Sequence, residues 1–168
     1  MEIAATGALA TLNAGDYTVV APFRPAELPR PSEGENFSVI VGRTGWTSDL
    51  HLDGDGRFFM QHFLADQTPV TARSQPLAEI GRWHHLIGIV DRTHGETRLA
   101  IDGRLVARAA WTAGSAAFAY PVENPWRLGI STPGDGLCRW AASGELRDVR
   151  LYDRALDVHE IARFTPNP

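Results

Sequence analysis

Two carboxylates stand two residues apart at Asp53 and Asp55, and two imidazoles stand side by side at His84 and His85; these come nearest to a reactive constellation in the sequence. A strand's period of two would aim Asp53 and Asp55 into one cleft, and retaining hydrolysis of a glycosidic bond needs two carboxyl groups about 5 Å apart. Each of them is followed by glycine, however, and Asp53-Gly54-Asp55-Gly56 reads as the solvated tip of a hairpin. His84 and His85 are neighbours on a predicted strand, so they point to opposite faces and cannot chelate one metal without a bulge. His51 and His62 could face each other across the hairpin that Asp53 closes, a geometry that suits a metal, but a lone cross-strand pair is more often a surface or satisfied core feature. Ser115 lacks the second glycine of a nucleophile elbow, and no helical pattern follows it. Cys138 is the only cysteine, which excludes an intrachain disulfide and a cysteine-based zinc site. No catalytic set and no metal set emerges. Aromatic side chains remain: Trp and Tyr stack on the apolar faces of sugar rings while Asp, Asn and Arg hydrogen-bond the hydroxyls. Trp46, Trp111, Tyr120 and Trp140 lie in or beside predicted loops and are the candidate ligand-binding residues, with packing beneath a loop as the alternative for each. Trp83 and Trp126 begin predicted strands and are assigned to the core.

The elements that must position these side chains are strands. Residues 84–91 are β-rich, 93–96 supply turn residues, 97–101 alternate polar with apolar, and Asp102-Gly103 is the strongest short hairpin signal. Residues 17–23 read as a strand in which Pro22, lacking an N–H, demands an edge, a strand end or a bulge. Residues 37–43 form another strand, and 46–53 with 57–64 a hairpin. The alternation of Leu50 and Leu52, then Phe59, Gln61 and Phe63, implies one half-buried face. A short strand is expected over 70–74, a long crossing loop over 109–125, a strand over 126–131, a turn over 133–136 and a long strand over 144–152. The Ala-rich opening is expected to be a short strand or extended arm. One helix follows Asp157, which with Glu160 forms a capping box ahead of Val158, Ile161 and Phe164.

At 168 residues the natural reading is one domain, residues 1–168, long enough to bury about two-thirds of its unfolded surface. A charged fraction of 21 % with an ordinary apolar content excludes a disordered tail and a membrane protein. The net charge is −4 and the basic residues are all arginines scattered singly, so nucleic acid is excluded as a partner. The chain opens Met1-Glu2 without a basic n-region or long apolar h-region; with no signal peptide visible, it is expected to be cytoplasmic or an excised domain.

Trp83, His84, His85, Asp91, Asp102 and Gly103, the run GELRDVRLYDRALDVHEI over 144–161, and YTVVAPFRP over 17–25 stand in order. In these motifs the chain resembles the laminin-G-like, concanavalin A-like jelly rolls. Many members of that family bind calcium through backbone carbonyls and an Asp in the strand matching 144–152. Arg147 stands at that position here and cannot ligate the ion, while Asp148 faces the other way in a regular strand. No cofactor is therefore expected, calcium being doubted on this ground, with Asp16, Asp91 and Asp153 as weak substitutes. The Glu-x-Asp-x-x-Glu and Glu-x-Asp-x-Glu runs of jelly-roll glycosidases are absent. Residues 145–147 match the Glu-Leu-Arg strand of jelly-roll alginate lyases without their companion Gln-Ile-His motif.

The fold expected is all-β: a two-sheet antiparallel jelly-roll sandwich of concanavalin A-like, laminin-G-like type with one short C-terminal helix. Its resemblance implies non-catalytic recognition of carbohydrate through loops and concave sheet. The alternatives are an accessory, protein-binding domain of a larger enzyme or assembly, and a glycan-active enzyme with an atypical site. Whether the partner is a glycan or a protein, and the oligomeric state, stay open.

Overall fold

In the computed structural model, which describes residues 1–3, 7–30, 35–43, 48–118, 124–131 and 139–165, the alternating runs pair into two antiparallel sheets. The first contains β1 (Glu2–Ile3), β3 (Phe37–Arg43), β4 (Ser48–Asp53), β5 (Arg57–Phe63), β6 (Pro69–Pro76) and β10 (Trp126–Leu128), in the order β1-β10-β3-β4-β5-β6. The second contains β2 (Tyr17–Pro25), β7 (His84–Asp91), β8 (Glu96–Ile101), β9 (Arg104–Ala110) and β11 (Gly144–Leu146), in the order β11-β2-β7-β8-β9, with β12 (Arg150–Tyr152) also on β2. This is the jelly-roll sandwich. Asp102 and Gly103, both with positive φ, close the β8–β9 hairpin as a two-residue turn requires.

Apolar residues at every second position fill the space between the sheets: Val19, Ala21, Phe23, Leu86, Val90 and Leu99 from one, Leu50, Leu52, Phe58, Met60 and Ala72 from the other. Gly88 allows the sheets to come together, since a Cβ there would lie 2.5 Å from Met60 Sδ. The opposite face of the second sheet has its own cluster, Val20, Ile87, Ile89 and Ala100 under Leu156 and Ile161. The last two belong to the segment entering α2 (Val158–Ile161), whose N-cap Asp157 forms the capping box with Glu160.

Three expectations change. The opening arm holds a strand of two residues followed by α1 (Ala8–Thr11) and a 3-10 turn, Leu12–Ala14, so helix is not confined to the C-terminus. Ala8, Leu9 and Ala10 favour helix, and Leu9 and Leu12, three apart, pack on the main core. The long strand over 144–152 is two short ones: Leu146 pairs with Phe23 and Arg150 with Val20, leaving three residues opposite two. This bulge lies across from Pro22, in an internal strand, and the Arg147 N–H donates to the Pro22 carbonyl at 3.2 Å. Finally, Leu50 pairs with Met60 and Leu52 with Phe58, so Leu50 and Leu52 face the core while Phe59, Gln61 and Phe63 face outward. The expected turn at 133–136 lies outside the described residues, and among them no helix is long and apolar enough to cross a membrane.

Candidate functional site

The outward face of the first sheet carries a row of flat groups, one from each of four adjacent strands. Phe37 on β3, His51 on β4, Phe59 on β5 and Arg73 on β6 are brought into line by the registers Val39–His51, His51–Phe59 and Phe59–Arg73. The His51 ring stacks on Phe59 at 4.3 Å between centroids, Phe37 meets His51 edge-on at 5.0 Å, and the Arg73 guanidinium lies 4.4 Å over Phe59. His51 and Phe59 are buried, and burial, with Arg73 next, pushes His51 down to a pKa of about 3, holding it neutral.

Trp140 extends this row beyond Phe37. Its carbonyl accepts from the Val39 N–H at 2.8 Å where β10 has ended, and its φ of 51° is a left-handed conformation unusual for so bulky a residue. The indole then stacks on Phe37 at 5.4 Å with 29° between planes, and stays half-buried. Only Trp140, Phe37 and Arg73 of the belt reach solvent. Trp140 is a candidate from the sequence; Phe37, His51, Phe59 and Arg73 are missed there, because single residues on four separate strands become neighbours only through pairing register.

The other candidates separate. Trp111 is half-buried against the core: its Nε1 donates to Thr97 Oγ1 at 3.2 Å, the same oxygen that His62 Nε2 meets at 2.8 Å, and Arg92 lies 5.4 Å from its ring. These are the contacts of the packing alternative weighed for it. Trp46 and Tyr120 lie outside the described residues. Trp126 is fully buried, whereas Trp83, assigned to the core, is half-exposed and flanked by the guanidinium groups of Arg24 at 5.4 Å and Arg147 at 4.2 Å. The cationic neighbours explain the correction, since two arginines keep their charge in water only if the indole between them stays near the surface.

The polar groups singled out for chemistry are engaged elsewhere. Asp53 Oδ1 accepts from the N–H groups of Asp55 and Arg57 at 3.0 and 2.9 Å, holding the hairpin tip, and Asp55 pairs with Arg57 at 3.1 Å. His51 and His62 do not face each other: His51 pairs with Phe59 on the outer face, and His62, at a pKa of about 3 through burial and then Arg92, lies inside. His84 points inward, 5.3 Å from Phe58, with its Nε2 accepting from the Glu79 N–H at 3.1 Å, so it offers no free base. His85 is on the opposite face. The bulge overturns the regular-strand argument for Asp148: its φ of 46° turns the carboxylate outward onto Arg150 at 3.1 Å, and that hydrogen bond holds its pKa below the usual range. Asp16 is occupied too; burial alone would raise it, but hydrogen bonds from Thr93 and Arg92 carry it below its ordinary value. Among the described residues no three His, Cys, Asp or Glu side chains converge as a metal-ligand set.

A family model described as the concanavalin A-like lectin/glucanases superfamily matches residues 3–162. The chain belongs to this superfamily. Several solved structures share its fold. One is the CBM40 of the Ruminococcus gnavus IT-sialidase bound to α2,3-sialyllactose, with a TM-score of 0.76, 17 % identity, and 94 % of this chain and 87 % of that one covered. A second is a putative carbohydrate binding protein from Bacteroides ovatus, at TM-score 0.67, 16 % identity, and 89 % and 40 % coverage. A third is a heptameric SAP-like pentraxin from Limulus polyphemus, at TM-score 0.62, 16 % identity, and 89 % and 69 % coverage. No curated protein matches the chain.

Proposed function

We propose that residues 1–168 form one non-catalytic recognition domain that binds carbohydrate on the outer face of its first sheet, with Trp140 as the stacking platform. The observation carrying this reading is the belt itself, which presents a half-buried indole at one end and a half-exposed guanidinium, Arg73, at the other. An indole backed by Phe37 loses little freedom when a sugar ring covers it, and Arg73, anchored over Phe59 and 3.8 Å from Asp53 Oδ2, is placed to donate to hydroxyl or acidic groups. Trp46 and Tyr120 are proposed as further ligand contacts. The structural relatives that carry or are titled for carbohydrate binding support the same reading. The non-catalytic assignment rests on Asp53 and Asp55 being spent on a hairpin tip. A glycan array followed by titration calorimetry on its best ligand tests the proposal: Trp140→Ala is expected to weaken binding about fivefold or more, from on the order of 1 kcal/mol per ring. Unchanged affinity in that variant, or release of reducing sugar by the purified protein, overturns it. A protein-binding role is favoured by one observation, the exposure of Leu77, Ile80 and Val106, two of which border one groove.

A further inference from the structure

On the far side of the sandwich from the aromatic belt, β12 and the segment carrying α2 leave a groove of about 460 Å³ over the second sheet. Its floor is apolar, formed by Val20 and Leu156 of the smaller cluster together with Phe164. Three guanidinium groups line it, those of Arg150, Arg154 and Arg163, beside the two carboxylates of Asp148 and Glu160. Two are matched within the chain: Arg150 is paired with Asp148, and Arg154 with Glu160 through bonds of 2.7 and 2.5 Å. Among the described contacts Arg163 has no ion pair, and Nδ1 of His85, which also lines the groove, is buried without a hydrogen-bond partner. The bulge builds this wall, since it turns Asp148 out of the sheet in a left-handed conformation and so fixes Arg150 at the groove's edge.

We propose that this groove binds a small organic anion, a carboxylate or sulfonate carried on an apolar body. A cation would meet three arginines whose nearby carboxylates are already engaged, and a neutral polar ligand would leave the apolar floor uncovered. An anionic head can accept from Arg163 and from an imidazole N–H of His85 while its body lies against the partly exposed rings of Tyr152 and Phe164. The volume is that of a small-molecule site.

The probe is 1-naphthoate, titrated into isotope-labelled protein and followed by amide and side-chain chemical shifts, with uncharged 1-naphthylmethanol as the matched control. Saturable shifts are expected at His85, Leu156 and Phe164, with the alcohol binding about tenfold more weakly. Arg163→Gln should lower naphthoate affinity about fivefold without moving the melting temperature, and Arg163→Lys should recover part of it. Equal binding of the alcohol, shifts confined to the Trp140 face, or full affinity retained in both Arg163→Gln and His85→Gln would each overturn the proposal.

Discussion

His51 and His62 sit in different surroundings, one in an aromatic stack and one between the sheets, yet burial pushes both to a pKa of about 3. An unfolded histidine titrates near 6.5, so between these values the unfolded chain takes up protons that the folded chain refuses. Stability is therefore complete above pH 6.5 and falls as pH drops toward 3, by about 1.4 kcal/mol per unit for each histidine. Urea unfolding at pH 7.5, 6 and 5 should show this slope, and His51→Phe should make it shallower by about 1.4 kcal/mol per unit. A slope unchanged in that variant would show that His51 is protonated in the folded protein. The two described tryptophan candidates should likewise part company. Trp111→Ala opens a hole beside Thr97 and His62 and should cost about 2 kcal/mol or more, whereas Trp140→Ala, on the outer face, should alter binding more than melting.

The bulge between β11 and β12 decides which side chains the end of the second sheet shows to water. Leu146, Val149 and Leu151 all pack on the main core, at spacings of three and then two, which a strand allows only with one extra residue. Asp148 holds the left-handed position, so Asp148→Gly should melt about 3 °C above Asp148→Ala, both having lost the same exposed ion pair. Equal melting of the two would mean that the backbone there is unstrained. The strands, their turns and the capping box were legible in the sequence because each rests on local periodicity or turn chemistry. The bulge was not, because Arg147, Asp148 and Val149 read as unbroken strand and its signal, Pro22, lies on the partner strand over a hundred residues away. The candidate site was legible only at Trp140, a loop aromatic; the rest of the belt and the surface position of Trp83 follow from strand register and from arginines remote in sequence.

At the scale of the molecule, the two sheets are tied together outside their shared apolar core as well as through it. Asn13, within the 3-10 turn, joins the two sheets: its side-chain oxygen accepts from Arg43 of the first, and its carbonyl accepts from Arg92, just past β7 of the second, at 3.2 Å. Gly88→Ala should force Met60 to move within a packed interior and cost about 1–3 kcal/mol, read as a lower urea midpoint with unchanged slope. A neutral result would mean that the interior at this point is slack. Met60 lies against Gly88 with 0 % exposure, while the only other methionine, Met1, is 82 % exposed. Peroxide should then convert Met1 to its sulfoxide at once and reach the second sulfur only during those moments when the sheets part. Mass spectrometry would resolve the two additions in one sample, so the chain carries its own chemical clock for global opening, with the first oxygen as the reference and the second as the count.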